Sequence, residues 1–177
     1  GAGESSYNIR WDGSTLTLNN ATITQGYSQG YYIGAVTAIS CGTDLKIELV
    51  GSNTVKGPAL TDEGAAETSG IYSEGSITIS GTGTLDVRGG DITKTTGWDS
   101  AQSYGLYSGE EGNITISSGT VNAFGGDIGT INGSASSSGI SADGATVITG
   151  GKVTAAGGEI TNNSGHAASI GIESYGG

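Results

Sequence analysis

Residues 70–91 read GIYSEGSITISGTGTLDVRGGD, and the chain returns to the same phrase twice. Residues 105–127 read GLYSGEEGNITISSGTVNAFGGD, and residues 139–159 read GISADGATVITGGKVTAAGGE. Each copy opens on Gly followed by Ile or Leu and closes on a Gly pair followed by Asp or Glu. Self-similarity at a period of about 20 to 50 residues is the signature of a repeat architecture, so the repeat is the first guide to this fold.

The glycine that opens each copy measures the repeat. It stands at Gly70, Gly105, Gly139 and Gly171, so the spacings are 35, 34 and 32 residues. A diverged Ala-Ile version begins 32 residues before Gly70, at residues 38–39. Five similar units therefore fill almost the whole chain.

Every unit contains three short runs in which apolar and polar residues alternate. One unit has SITIS (76–80), TLDVR (84–88) and GIYS (70–73), and other units have counterparts such as NITIS (113–117) and KVTAA (152–156). This alternation indicates β-strands with one buried face, and the sequence has no helical periodicity. The Gly pairs and the Ser, Asn and Asp residues between the runs are expected to supply corners with positive φ.

Strands this short cannot pair within one unit, but each can pair with its counterparts in the neighbouring units when the units stack in register. The sequence therefore predicts an all-β fold, a right-handed, three-faced parallel β-helix of about five rungs, where a rung is one turn of the helix. We expect one domain over residues 1–177, with an N-terminal cap and a first diverged rung in 1–37 and regular rungs in 38–174. Trp11, in the stretch SYNIRWDGSTLTL, is expected to cover the first rung.

Stacking at about 4.8 Å per rung turns equivalent residues into columns. The inner column is predicted to contain Ile71, Leu106, Ile140 and Ile172. On the outside, Tyr72 and Tyr107 are expected to stack on adjacent rungs, and Asp86 and Asn122 form a second outer column. Aromatic faces and amide or carboxylate groups are the side chains that bind sugars, so all four are candidate carbohydrate-binding residues.

A longer loop separates the second and third strands of each unit. Loops carried on a rigid scaffold are frequent binding sites, and these are expected to project from a single edge of the helix. Their aromatic residues Tyr31, Tyr32 and Trp98 are therefore further candidates for carbohydrate binding.

Three acids occupy one place in successive rungs, each after a Gly pair and before Ile: Asp91, Asp127 and Glu159. Stacked carboxylates repel, so either a cation or backbone N–H groups should compensate them. Calcium prefers several carboxylate and carbonyl oxygens, which makes this column the candidate calcium site. The alternative is that the acids accept local hydrogen bonds at the turns and face solvent.

The charge balance limits the classes of partner. Seventeen Asp and Glu residues against six Lys and Arg give a net charge of −11, which argues against nucleic acid and anionic membranes. Cys41 is the only cysteine and His166 the only histidine, so no disulfide framework or multi-histidine metal site is expected. No stretch has the length of a membrane span, and the chain contains no recognisable signal peptide.

The rung phrases resemble the carbohydrate-binding β-helix domains of Firmicutes surface and secreted proteins, over roughly residues 38 to 174. The resemblance lies in the repeated sequence pattern GIYSEGSITISGTGTL, and it implies a pectate-lyase-like fold without catalytic residues. It also implies an extracellular, sugar-associated role with calcium as the one candidate cofactor.

The resulting prediction is a non-catalytic module that binds an extended polysaccharide, secreted or displayed on a bacterial surface. One alternative is a structural or adhesive stalk that binds a protein partner, and another is an enzyme, either a calcium-dependent polysaccharide lyase or a glycoside hydrolase. A homo-oligomer formed end to end or along an edge is also open. The sequence carries no hydrolase, metalloprotease or nucleotide-binding motif, and it assigns no catalytic residue.

Overall fold

The computed structural model describes residues 7–28, 35–62, 66–94, 100–130, 133–162 and 165–176. Within these ranges the chain forms strands and no helix, so no described helix has the length and apolar character to cross a membrane. The strands are β1 (Ile9–Trp11), β2 (Thr15–Asn19), β3 (Thr22–Ile23), β4 (Tyr27–Ser28), β5 (Ala35–Cys41), β6 (Leu45–Val50), β7 (Ser52–Lys56), β8 (Leu60–Asp62), β9 (Ala66–Ser73), β10 (Ile77–Gly81), β11 (Thr84–Arg88), β12 (Ile92–Lys94), β13 (Ala101–Ser108), β14 (Ile114–Ile116), β15 (Thr120–Phe124), β16 (Ile128–Thr130), β17 (Ala135–Ala142), β18 (Thr146–Ile148), β19 (Lys152–Ala156), β20 (Ile160–Asn162) and β21 (Ala167–Ser174).

These strands build four sheets that the chain visits in rotation. The first sheet has the order β1-β2-β6-β10-β14-β18, the second β3-β7-β11-β15-β19, the third β8-β12-β16-β20 and the fourth β4-β5-β9-β13-β17-β21. Neighbouring rungs pair in parallel, and antiparallel pairs occur only where β1 meets β2 and β4 meets β5 among the described strands. The protein is therefore a parallel β-solenoid, as the repeat predicts. It has four rungs with a strand in every sheet and an incomplete rung before them.

The register places the predicted columns as expected. Ile71 pairs with Leu106, Leu106 with Ile140 and Ile140 with Ile172, and the first three of these side chains are fully buried. They belong to one continuous core enclosed by the first, second and fourth sheets. Each Ile, Leu or Val side chain removed from water in this way stabilises the fold by roughly 1.5–3 kcal/mol.

The region predicted as a long loop contains a fourth strand in each complete rung. Strands β8, β12, β16 and β20 are only three residues long and present one buried or half-buried apolar residue each, so alternation could not reveal them. The strands of the fourth sheet also begin four residues earlier than GIYS and its counterparts. Together they enclose a small second core, a side lobe that contains Leu60, Ala66, Ile92, Ala101, Ile128, Ala135 and Ile160.

A neck of hydroxyl groups and glycine pairs joins the side lobe to the main core. Ser103 Oγ donates to the carbonyl of Gly90 at 2.8 Å and accepts the N–H of Gly126 at 2.8 Å. Ser137 makes the same two bonds one rung later, to Gly126 and Gly158. Both serines are fully buried, so this internal ladder satisfies backbone groups that would otherwise lose their partners.

Close approach is the reason for the glycine pairs. A Cβ on Gly126 would lie 1.9 Å from the carbonyl oxygen of Gly90, which no side chain can tolerate. The expected positive φ occurs at the Gly150–Gly151 pair and at Asn20, and also at Gly51, Gly81 and Gly119 between the first and second sheets. It does not occur at the pairs of the neck, Gly89–Gly90, Gly125–Gly126 and Gly157–Gly158, so for these pairs the expectation is wrong. The pairs let two parts of the backbone touch at the neck.

The two ends of the solenoid differ. Strand β1 extends the edge of the first sheet antiparallel to β2, with Trp11 opposite Leu16. Trp11 is opposite Leu16, a residue that packs against the main core, so its side chain is directed to the core side of the sheet, where it remains 53% exposed. That it covers the first rung stays a prediction. At the other end Ile148 and Ile172 are 46% and 43% exposed, and the described strands of the last rung are paired on one side only.

Candidate functional site

Three tyrosines stack on the outer face of the fourth sheet. Tyr72 pairs with Tyr107 across β9 and β13, and their ring centroids are 5.4 Å apart at an interplanar angle of 38°. Sequence reasoning places these two correctly but misses Tyr104, whose ring lies 4.7 Å from that of Tyr107. Tyr104 falls between the predicted loop and the predicted strand, so no column was assigned to it.

A bend in the sheet explains this third ring. Residues three apart on a straight strand lie on opposite faces, yet Tyr104 and Tyr107 touch. Gly105 lies between them, a Cβ there would collide with the backbone of Phe124, and Leu106 beside it points into the main core. Two successive residues that face inward bend the strand, so the outer face is concave and Tyr104 is only 5% exposed.

Tyr175 extends the cluster at the last rung. Its hydroxyl donates to Glu173 Oε1 at 2.7 Å, and Ser138 Oγ donates to Glu173 Oε2 at 3.2 Å. Tyr175 is 69% exposed, whereas Tyr72 and Tyr107 are half-buried. We call Tyr72, Tyr104, Tyr107 and Tyr175 the tyrosine patch.

The surroundings of the tyrosine patch are acidic and poorly hydrated. Burial, followed by the charges of Asp143 and Glu67, raises the pKa of Tyr107 to about 12. The hydrogen bond to Glu173 is the main reason that the pKa of Tyr175 is also raised to about 12. Burial and then Asp143 raise the pKa of the Glu67 carboxyl. The phenols are therefore neutral hydrogen-bonding groups at neutral pH, set in a negative field.

The predicted acid column forms a ladder of hydrogen bonds at the corner between the second and third sheets. The backbone N–H of Asp127 donates to Asp91 Oδ1 at 3.1 Å, and that of Glu159 donates to Asp127 Oδ1 at 2.9 Å. We call Asp91, Asp127 and Glu159 the acid ladder. It borders a shallow groove of about 380 Å³ along the third sheet, where Gly129 leaves open space between neighbouring rungs.

Two cations also form ion pairs with Asp91 and Asp127 of the acid ladder. Lys56 Nζ lies 3.2 Å from Asp91 Oδ2, and Arg88 reaches Asp91 at 3.3 Å and Asp127 at 3.1 Å. Partial burial raises the pKa of Asp91, but the N–H of Asp127 together with Lys56 and Arg88 lowers it by more, so its pKa is below the ordinary value. The repulsion between the stacked carboxylates, expected from the sequence, is thus offset by backbone N–H groups and by basic side chains.

Calcium at the acid ladder stays a prediction. Among the described residues, no three His, Cys, Asp or Glu side chains are grouped closely enough to hold a metal ion. If calcium binds there, millimolar calcium raises the melting temperature relative to chelator, and Asp127→Asn abolishes the increase. An unchanged melting temperature in both proteins identifies the acids as ordinary turn residues.

The remaining carbohydrate candidates lie elsewhere. Asp86 pairs with Asn122 on the outer face of the second sheet, and Asn122 Nδ2 donates to Asp86 Oδ1 at 2.6 Å. This pair is on a different face from the tyrosine patch, so the structure divides the predicted residues between two surfaces. Trp98, Tyr31 and Tyr32 lie outside the described residues.

Comparison with known proteins finds no match to a family model, a curated protein or a solved structure. The geometry of the molecule alone supports the functional argument. The tyrosine patch offers half-buried rings, neutral hydroxyls and carboxylates on a rigid sheet, which are groups suited to binding.

Proposed function

We propose that this β-solenoid is a non-catalytic module that binds an extended polysaccharide, as part of a secreted or surface-displayed bacterial protein. The observation that supports this function is the run of stacked rings Tyr72, Tyr107 and Tyr104 on one concave sheet face. Sugar rings present apolar C–H faces that stack on aromatic rings, and their hydroxyls need donors and acceptors nearby.

The patch supplies both kinds of contact. Tyr107 is half-buried and lies between the other two rings, so a sugar ring could cover its exposed edge without any change in the sheet. Glu173 and the Tyr175 hydroxyl, already fixed by their mutual hydrogen bond, provide acceptors and donors beside it. Because strands hold the three rings and Glu173, little conformational entropy is lost when these groups bind.

A glycan array combined with assays for reducing ends and unsaturated products tests the proposal. We expect binding to one or more polysaccharides without product. Tyr107→Ala should weaken binding at least about tenfold, which is roughly 1.4 kcal/mol. Phe124→Ala is the matched control, because Phe124 is a partly exposed aromatic residue on the second sheet. The proposal is wrong if no glycan binds, and the site is wrong if Tyr107→Ala binds like wild type.

The same assays separate the other predicted sites. If Trp98→Ala, Tyr31→Ala or Tyr32→Ala abolishes binding while Tyr107→Ala does not, the loops bind the glycan. Loss in Asp86→Ala or Asn122→Ala would place it on the second sheet. A lyase needs a basic residue beside carboxylates to take a proton, and Arg88, which alternates with Asp86 on β11, is the residue to test for that role. Product formation that disappears in Arg88→Ala would therefore favour the lyase.

A structural stalk is the second candidate, and the last rung favours it. There Val147, Ile148 and Ile172 are 42–46% exposed beside strands paired on one side, and such an edge readily accepts another strand. A stalk that assembles through this end, including an end-to-end homo-oligomer, should sediment as a species larger than a monomer. Ile172→Asp should then return it to the monomer without affecting glycan binding.

A further inference from the structure

The charges around the tyrosine patch are of one sign. The strands of the fourth sheet, β4, β5, β9, β13, β17 and β21, contain no Lys, Arg or His. Two of them contain acids, Glu67 in β9 and Glu173 in β21. The connections from this sheet to the first sheet add five more acids and no base: Asp44, Glu74, Glu110, Glu111 and Asp143. Seven of the seventeen acids of the chain therefore lie on this face or its border.

These carboxylates act on the rings themselves. The charges of Glu74, Glu67, Glu110 and Asp143 raise the pKa of Tyr72 in addition to the effect of burial. Tyr72 and Asp143 also meet across Gly109, where a Cβ would lie 3.3 Å from the Tyr72 hydroxyl and 3.9 Å from Asp143 Oδ2. The Tyr72 hydroxyl and the Asp143 carboxylate therefore both border the backbone of Gly109.

The described cations lie on other faces of the molecule. Lys56 and Arg88 are bound to the acid ladder, and Lys152 is on the second sheet. Arg10 and Lys46 are on the first sheet, and Lys94 is on the third. A ligand with carboxylate, sulfate or phosphate groups would thus meet an uncompensated negative field at the tyrosine patch. A ligand with ammonium groups would gain both from the carboxylates and from the negative faces of the rings.

We propose that the tyrosine patch binds a cationic polysaccharide, a polymer of amino sugars with free ammonium groups, in preference to neutral or anionic polysaccharides. This inference rests on the proposed function and names its substrate class. The rings stack on the sugar faces, and Glu67, Asp143 and Glu173 receive the ammonium groups. The repeat of the sheet, about 4.8 Å per rung, offers such contacts to successive sugars of one chain.

The test compares three soluble oligosaccharides of equal length and β-1,4 linkage: oligoglucosamine, its fully N-acetylated form and oligoglucuronate. Binding to the full chain is measured by calorimetry near pH 6, where carboxylates are charged and sugar amines protonated. We expect oligoglucosamine to bind at least about tenfold more tightly than the acetylated form at low salt. The preference should shrink as the salt rises from about 20 to about 200 mM, because salt screens exposed charges.

Matched variants separate the patch from the overall negative charge of the protein. Glu67→Gln and Asp143→Asn should each reduce the preference severalfold. Glu48→Gln removes the same charge from an exposed position on the first sheet and should leave the preference unchanged. If Glu48→Gln reduces it as much as Glu67→Gln, the net charge of the chain attracts the ligand and the inference is wrong.

The remaining outcomes distinguish this inference from the proposed function. Equal or tighter binding of the acetylated or glucuronate form overturns the cationic class and leaves polysaccharide binding in place. If none of the three oligosaccharides binds but another glycan binds on the array, the cationic class is again overturned and polysaccharide binding stands. If no glycan binds on the array either, both the cationic class and the proposed function are overturned. Oligolysine is the last probe: if it binds as tightly as oligoglucosamine and loses affinity equally in Tyr107→Ala, the partner is a basic protein and the inference is overturned.

Discussion

The acid ladder and the tyrosine patch are both rich in carboxylates, but different groups surround them. In the ladder, backbone N–H groups, Lys56 and Arg88 hold Asp91 and Asp127. In the patch, Glu173 receives only the hydroxyls of Ser138 and Tyr175, and the strands of that sheet contain no basic residue. In the first region protein groups compensate the charges of Asp91 and Asp127, and the second leaves a negative field directed at solvent.

This difference teaches which acidic surface is free to bind. An acid that already accepts a backbone N–H and an ion pair must lose them before it can hold a ligand, whereas an acid that faces weak donors loses little. The ladder is therefore interpreted as structural and the patch as the binding surface, although both show the same repetition in the sequence.

The largest effect should come from the neck that holds the ladder in place. Gly126→Ala places a Cβ 1.9 Å from the carbonyl of Gly90, so we expect a loss of about 3 kcal/mol or more in the free energy of unfolding. Urea unfolding measures it. Gly129→Ala is the control, because a Cβ there meets nothing within 4 Å, and it should cost nothing or stabilise by up to about 1 kcal/mol. Equal stability of the two variants would contradict the close packing at the neck.

Within the patch, Tyr104 and Tyr107 should differ in role. Tyr104 is 5% exposed, so Tyr104→Ala should cost about 3 kcal/mol of stability, as expected for a buried aromatic residue. Tyr107→Ala, at a half-buried site, should cost about 1 kcal/mol and act mainly on binding. The same denaturant series checks both, and a larger loss for Tyr107→Ala than for Tyr104→Ala would reverse the assignment.

The two regions should respond to pH with opposite signs. The pKa of Asp91 is lowered from 3.8, so its charged form stabilises the fold above that pH, and the contribution is lost as the pH falls through the lower folded value. The pKa of Glu67 is raised from 4.5, so its charged form destabilises the fold increasingly as the pH rises from 4.5 through the higher folded value.

Melting temperatures of two charge-removing variants test these signs. At neutral pH Asp91→Asn should lower the melting temperature and Glu67→Gln should raise it. The Glu67→Gln difference should disappear as the pH falls below 4.5, and the Asp91→Asn difference only as the pH falls below 3.8 through the lower folded pKa of Asp91. Shifts of the same sign at neutral pH would show that the two environments do not differ as described.

The smallest effect concerns a single proton at the last rung. Because the hydrogen bond to Glu173 is the main reason that the pKa of Tyr175 is about 12, Glu173→Gln should move it back toward 10.0. Ultraviolet absorbance during an alkaline titration would show one tyrosine that ionises earlier than in wild type. An identical titration curve would mean that the carboxylate does not hold this hydroxyl.

The sequence predicts which residues stack from rung to rung better than it predicts the strands and corners within one rung. Columns such as Ile71, Leu106 and Ile140 follow from the alternation and the repeat length, because equivalent strands pair in parallel and each residue keeps the same face from one rung to the next. The strand Ile92–Lys94 was not predicted, since three residues with one buried side chain have no detectable period. The side lobe and its neck were missed for the same reason.

The candidate site was predicted in part. The pair Tyr72 and Tyr107 follows from the columns, but Tyr104 joins it only because the strand bends at Gly105, and alternation cannot foresee a bend. The cations of the acid ladder lie in adjacent columns, and the orientation of long side chains decides which acids they reach.

Mapping the bound oligosaccharide by NMR tests the central claim most directly. With oligoglucosamine as the probe, the largest chemical-shift changes should fall on β9, β13 and β17 around Tyr72 and Tyr107, with the amide groups of Asp91, Asp127 and Glu159 unchanged. Changes concentrated along the acid ladder or on the Asp86 and Asn122 face, with the tyrosine patch unaffected, would contradict the account.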